Sequence, residues 1–191
     1  MNQGQTLTEA NVNDKVTLHF LVMAPYPDCP PLKPSWEVGP SLIPAAMVAK
    51  DHINRREDIL KDYSIELIVD DSGCDITSKG INSIIYHLFY SGKNVVGIIG
   101  PGCSEATLVT APLMSNKRLS LIQIAPTASS PQLTDTTLFP NTFRPIASSF
   151  GFISMYLEII KQKNYQQVGA LFEVSSSFHA AVYPFVKKVY N

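Results

Sequence analysis

The chain has 191 residues, of which 45% are hydrophobic and 16% charged, so it carries enough apolar material for a folded core and does not resemble a disordered chain. Its 15 lysine and arginine residues are balanced by 16 aspartate and glutamate residues and form no basic run, which argues against nucleic acid as a partner. The longest apolar stretches are strand-sized, such as Val95–Ile99, and none approaches the roughly 20 residues that a membrane-spanning helix needs.

From Lys15 onwards, short β-rich runs alternate with longer segments that have helical periodicity. The predicted strands are Val16–Met23, Ser64–Val69, Val95–Ile99 and Leu119–Ile124. The predicted helices are Pro44–Arg56, Ile76–Tyr90 and Ser104–Met114, and the connections Pro25–Pro40 and Ala125–Arg144 are predicted to be irregular. This alternation predicts an α/β fold, a doubly wound parallel sheet with helices on both faces.

After the second irregular connection the pattern restarts. A helix is predicted at Ser148–Lys163, a strand at Val168–Phe172 and another helix at Ser177–Tyr190. One strand and two helices cannot bury both faces of a sheet, so we expect them to belong to a second lobe. We therefore divide the chain into a disordered N-terminal segment (residues 1–14), a first lobe (15–145) and the start of a second lobe (146–191), whose remainder we expect outside this chain.

The loops that leave the carboxyl ends of parallel strands meet at one rim, beside helix N-termini, and ligands bind there. Short hydroxyls and backbone amides dominate these loops, and Ser104 and Ser129 are the candidate donors to a small anion such as a carboxylate. On spacing alone, plain helix capping and turn formation explain serines at these positions somewhat better than ligand binding does. Trp36 lies in the proline-rich loop, where it would either cover a ligand or pack against its own loop.

Two of the three cysteines follow strand ends at this rim. The positions of Cys74 and Cys103 permit a disulfide, which would indicate an oxidising compartment, but two reduced and unrelated thiols are an equally good interpretation of the spacing. Cys29, in the proline-rich loop, is left over.

The sequence offers no cofactor or metal motif. The turn Gly100–Ser104 lacks the Lys-Ser/Thr pair of a phosphate loop, and Asp70, Asp71 and Asp75 lack the spacing of a calcium loop. The four histidines have no cysteine or glutamate at ligand spacing. Because no base or metal accompanies Ser104, we expect no enzymatic activity.

Three runs of the sequence carry a family resemblance: Ile53–Asp75, Gly100–Leu113 and Ala125–Pro145. They contain, in order, a helix end N-x-R-x-D-I-L, a turn D-S-x-C-D, a turn P-G-C-S, and a loop S-S-P-x-L that leads to F-P-x-x-F-R. In this order and spacing they resemble the ligand-binding ectodomain of metabotropic GABA-B-type receptors. These receptors are a branch of the class C G-protein-coupled receptors, and their Venus flytrap ectodomain has a periplasmic-binding-protein-like type I fold.

The resemblance implies a specific set of roles. It implies a disulfide between Cys74 and Cys103, a ligand carboxylate held by Ser104 and Ser129, and Trp36 beside that ligand. It also implies an amino-acid-like ligand such as GABA, signalling by lobe closure, and a dimer with a related receptor subunit formed through lobe 1. The expected location is the extracellular side of the plasma membrane, with the membrane reached only through parts outside this chain.

Two positions depart from the family's ligand-binding subunit. Ile146 stands where that subunit has a histidine, and Ala128 stands where it has the first of three serines. These departures leave the ligand open. They also leave a non-binding partner subunit, a stand-alone solute-binding protein and another flytrap receptor, such as a cyclase-coupled one, as alternatives.

Overall fold

The computed structural model describes residues 15–25, 38–74, 78–169 and 171. The strands are β1 (Val16–Ala24), β2 (Tyr63–Asp71), β3 (Val95–Ile99), β4 (Ile122–Ile124) and β5 (Thr142–Phe143). The helices are α1 (Val38–Asn54), α2 (Lys79–Phe89), α3 (Ser104–Met114) and α4 (Phe150–Gln162), with a short 3-10 helix at Pro131–Thr134. Cys29, Trp36, residues 1–14 and the predicted helix Ser177–Tyr190 lie outside the described residues, and the predicted strand Val168–Phe172 lies partly outside them.

The five strands form one sheet in the order β2-β1-β3-β4-β5, and every neighbouring pair is parallel. Residues 21–24 of β1 are completely buried, as expected for a central strand that is covered on both faces. The structure confirms the predicted α/β class. Because all strands run the same way, their carboxyl ends lie along one edge of the sheet.

Helices cover both faces of this sheet. The main core contains Leu21 and Met23 of β1, Ile84 of α2, Ile98 of β3 and Met114 of α3, and α2 and α3 contact each other on that face. The crossover from β1 to β2 runs in the opposite direction across the sheet to those from β2 to β3 and from β3 to β4. Since such crossovers are right-handed, α1, which contacts β1 and β2, covers the other face.

The largest differences from the sequence prediction are in α1, β4 and β5; β1, β2, α2 and α4 differ from it by a few residues at their ends, and Val168 and Gly169 are not part of a strand, contrary to the prediction. Helix α1 begins at Val38 and continues through Pro44, where the prediction starts it. Strand β4 is shorter than predicted, because the N–H groups of Leu119 and Ser120 bond to the carbonyl of Asn116 and form a turn instead. Strand β5 lies inside the connection that was predicted to be irregular. It consists of two residues, and both pair with β4.

No helix in the described part of the chain is long and apolar enough to cross a membrane. Among the same residues, no group of three or more histidine, cysteine, aspartate or glutamate side chains is arranged to hold a metal ion.

Candidate ligand-binding site

The turn Gly100–Cys103 connects β3 to α3 at the carboxyl edge of the sheet, and Gly100 allows it to lie against the neighbouring strands. The N–H of Gly100 donates to the carbonyl of Ile124 at 2.7 Å, and its φ is +104°. A Cβ atom at this position would stand 2.0 Å from the carbonyl oxygen of Met23. Only glycine therefore allows the turn to approach β1 and β4 so closely.

The carbonyl groups of this turn are all occupied by protein donors. Gln123 Nε2 donates to Gly100, Thr127 Oγ1 to Gly102, and Thr107 Oγ1 to both Pro101 and Cys103, at distances between 2.6 and 3.1 Å. No described residue accepts a hydrogen bond from the N–H groups of Gly102, Cys103 or Ser104. The carbonyls of the turn are thus satisfied, whereas the N–H groups of Gly102, Cys103 and Ser104 are available at the positive end of the α3 dipole, which is the arrangement that suits an anion.

The two serine regions predicted to share the rim are brought together. Ser104 is buried, and its Oγ accepts a hydrogen bond from the N–H of Ser130 at 3.1 Å. A hydroxyl that accepts one bond keeps its own proton to donate, so Ser104 can still bond to a ligand oxygen. Ser129 is half-buried beside this contact, and its carbonyl accepts a bond from the N–H of Ser149 at 3.0 Å.

A disulfide joins Cys74 to Cys103, with the two Cα atoms 5.2 Å apart. It connects the turn after β2 to the residue that precedes the first turn of α3. The turn after β2 is ordered by Asp71, whose carboxylate accepts bonds from the N–H of Gly73 at 2.9 Å and from Lys79 Nζ at 2.8 Å. The rim is therefore covalently held at the point where the free amide groups lie.

Asp70 anchors α2 to the end of β2. Its Oδ2 accepts bonds from Ser83 Oγ at 2.5 Å and from His87 Nε2 at 3.1 Å, and its Oδ1 accepts one from the N–H of Asp71 at 2.8 Å. His87 is therefore a structural histidine, and Asp70 is its partner in a contact that holds α2 on the sheet.

Sequence reasoning missed Gln123, which the structure places at the centre of the site's support. Its side chain is completely buried, and Nε2 donates to Thr110 Oγ1 at 2.8 Å as well as to the carbonyl of Gly100. The signal was present in the sequence, because Gln123 is the one amide side chain in the apolar run of β4. A buried amide needs partners, and here the partners are the turn Gly100–Cys103 and α3.

The two departures from the family pattern have different surroundings. Ala128 is completely buried against Ala111, Ala125 and Leu133, so a serine hydroxyl at this position would lie in an apolar cluster. Ile146 is exposed near the start of α4. The packing thus accounts for alanine at position 128.

Comparisons with known proteins give one matching family model and several relatives. The family model described as "Receptor family ligand binding region" matches residues 42–190. The gamma-aminobutyric acid type B receptor subunit 1 of Mus musculus is 33% identical over 114 residues, which cover 60% of this chain and 11% of that protein. Subunit 2 of Homo sapiens is 28% identical over 134 residues (70% of this chain, 14% of that protein), and subunit 2 of Caenorhabditis elegans is 26% identical over 133 residues (69% and 16%). The chain therefore spans less than a fifth of the length of these relatives.

Proposed function

The chain belongs to the family of receptor ligand-binding regions, and on that premise we propose that it is part of the extracellular ligand-binding region of a GABA-B-like class C receptor that binds GABA or a similar amino acid. A ligand-binding region of a receptor binds its ligand without converting it, so the chain is not an enzyme. The five-stranded parallel sheet with helices on both faces agrees with the periplasmic-binding-protein-like fold expected for this family.

The observation that carries the proposal is the unequal use of the donors and acceptors in the turn Gly100–Cys103. All four carbonyls are occupied, whereas the N–H groups of Gly102, Cys103 and Ser104 have no acceptor among the described residues. A carboxylate needs donors only, and hydrogen bonds to a charged group are worth about 1.5–3 kcal/mol each. In this proposal Ser104 Oγ and Ser129 donate to the ligand carboxylate together with these amides.

The remaining parts of the proposal rest on the sequence resemblance. Trp36 lies outside the described residues, and its proposed role is to cover the ligand's alkyl chain. The second lobe, which begins after residue 145, closes over the ligand, and the ligand signals because it favours the closed state. The disulfide Cys74–Cys103 supports an extracellular location, because such bonds persist in oxidising compartments.

Dimer formation through lobe 1 has a surface to support it. We define the α2 aromatic face as Ile85, Tyr86, Phe89 and Tyr90, which follow one another at helical spacing. Tyr86, Phe89 and Tyr90 are 56%, 63% and 75% exposed. Tyrosine and other aromatic side chains are enriched in protein interfaces, and the relatives include two different subunits, so we propose the lobe 1 of a related receptor subunit as the occupant.

A second candidate is a partner subunit that binds no ligand. Ala128 and Ile146, which replace a serine and a histidine of the ligand-binding subunit, favour it. In that case the turn Gly100–Cys103 and the serines beside it would have a structural role only. The chain would contribute to dimer formation but not to ligand binding.

The decisive experiment is isothermal titration of the full-length receptor that contains this chain with GABA and with common amino acids, before and after Ser104→Ala. We expect binding by the unmodified receptor and a loss of about 10- to 100-fold on substitution, which corresponds to one charge-assisted hydrogen bond. Ser115→Ala, at the other end of α3, is the matched control. Absence of binding by the unmodified receptor would favour the partner subunit, and an unchanged affinity in Ser104→Ala would remove Ser104 from the site.

A further inference from the structure

Arg144 follows the last residue of β5 and reaches back to the loop that carries the candidate serines. Its Nη1 donates to the carbonyl of Ser130 at 2.8 Å, and its Nη2 donates to Thr134 Oγ1 at 2.6 Å. These two acceptors lie at opposite ends of the 3-10 helix Pro131–Thr134. One planar guanidinium thus closes both ends of this short helix, which a lysine ammonium with its single nitrogen would not do in the same way.

The acceptors of Arg144 are both neutral. No carboxylate pairs with its guanidinium among the described residues, although the side chain is half-buried. Burial lowers the pKa of Arg144 from its ordinary value, but arginine stays charged at neutral pH. Because Arg144 donates to a carbonyl and a hydroxyl rather than forming an ion pair, its role is to fix the conformation of the loop.

The loop is held from three directions at once. Ser104 Oγ binds the N–H of Ser130, Arg144 binds the carbonyl of the same residue, and the N–H of Ser149 binds the carbonyl of Ser129. These contacts come from the start of α3, the end of β5 and the start of α4. They fix the peptide groups on both sides of Ser130, and so they determine where the side chain of Ser129 begins.

We infer that Arg144 is a positioning residue for ligand binding: it holds the loop Ser129–Thr134 so that Ser129 faces the same ligand as Ser104. The expected effect of Arg144 on ligand binding rests on the proposed function. Its expected effect on the order of the loop does not. Without the guanidinium, the N–H of Ser130 would keep its bond to Ser104, its carbonyl would keep only the 3.2 Å bond from the N–H of Leu133, and the tie between Ser130 and Thr134 through Arg144 would be lost. Ser129 would then sample several positions, and the ligand would have to order it on binding.

The test uses the full-length receptor with Arg144→Gln, Arg144→Lys and Thr134→Val, and with Arg118→Gln as a control at an exposed arginine. Hydrogen exchange of residues 129–134 is measured without ligand, and GABA affinity and the thermal midpoint are measured alongside. We expect Arg144→Gln to speed exchange in this segment and to weaken GABA binding about tenfold, with a smaller loss for Arg144→Lys. Thr134→Val, which alters an exposed side chain, should cause about a threefold loss and keeps the test valid if Arg144→Gln does not fold.

The outcomes separate this inference from the proposed function. Unchanged exchange at 129–134 in Arg144→Gln and Thr134→Val overturns the role of Arg144, whether or not the receptor binds GABA. Faster exchange with undiminished affinity in a receptor that binds GABA overturns it as well, because the loop would then be held for stability alone. If the unmodified receptor binds no GABA or other amino acid, the proposed function fails, and the exchange result alone decides whether Arg144 orders the loop.

Discussion

The hydroxyl oxygen of Ser104 accepts a hydrogen bond from the N–H of Ser130 at 3.1 Å, across 26 residues of sequence. Both residues are buried, and the bond joins the start of α3 to the loop after β4. The two regions that supply candidate donors to the ligand are therefore structurally coupled. A substitution in one serine region is expected to alter the conformation or mobility of the other.

Ser104→Ala should loosen the loop even without a ligand. The substitution leaves the buried N–H of Ser130 without its acceptor, and an unsatisfied buried donor costs about 1–3 kcal/mol. We expect faster hydrogen exchange of the Ser130 amide and a free energy of unfolding of the ligand-binding region that is lower by about that amount. The same exchange rate in the variant and the unmodified protein would contradict the coupling.

Removing the disulfide should destabilise the rim. The bond between Cys74 and Cys103 closes a loop with a sequence separation of 29, for which chain entropy predicts about 3.5 kcal/mol. We expect the double variant Cys74→Ser, Cys103→Ser to lower the free energy of unfolding by about 3 kcal/mol in urea denaturation. The unmodified protein should show the same loss in the presence of a reductant, and a reductant without effect would count against a structural role for this bond.

Gly100→Ala should be severely destabilising. The positive φ is strained for alanine, and the new Cβ would stand 2.0 Å from the carbonyl oxygen of Met23, so the turn would have to move away from β1. We expect a loss of at least about 3 kcal/mol in the free energy of unfolding. Gly151→Ala is the matched control, because a Cβ there meets nothing within 4 Å, and it should be neutral or stabilising by about 0.5–1 kcal/mol in helix α4.

Gln123→Leu should destabilise the turn Gly100–Cys103 by removing its support from β4. The substitution keeps the volume of the side chain but removes the donor to the carbonyl of Gly100 and to Thr110 Oγ1. Leaving the buried carbonyl of Gly100 without its donor and removing the bond to Thr110 Oγ1 should cost about 2–4 kcal/mol of unfolding free energy, measured by denaturation. The same change at the exposed Gln132 should stay within about 0.5 kcal/mol, and equal effects at the two positions would refute the supporting role of Gln123.

The α2 aromatic face should determine subunit association. Phe89→Arg places a charge in the middle of this face, so we expect the association constant of the dimer of the full-length receptor to fall at least tenfold, measured by resonance energy transfer between labelled subunits. Such a loss is about 1.4 kcal/mol, which is within the range for an aromatic interface residue. Val48→Glu, on α1 and 69% exposed, is the control on the other face of the sheet. A dimer that tolerates Phe89→Arg and not Val48→Glu would place the interface on the opposite side.

Elements whose signals are local could be predicted closely. Strand β3 and helix α3 have the predicted bounds, because a short apolar run, a glycine turn and a serine at the helix start lie next to one another in the sequence. Strand β5 was missed for the opposite reason. Its two residues, Thr142 and Phe143, have no periodicity of their own and become a strand only by pairing with β4.

By itself, the sequence determined the α/β class, the family resemblance and the group of serine and amide donors at one rim, because turn chemistry and hydrophobic periodicity are properties of neighbouring residues. The tertiary structure alone decided which of those groups are in use. The occupied carbonyls of Gly100–Cys103, the bond between Ser104 and Ser130, and the reach of Arg144 to the same loop all join residues that are distant in the chain. Such contacts depend on strand order and packing, which bring together groups that no local pattern connects.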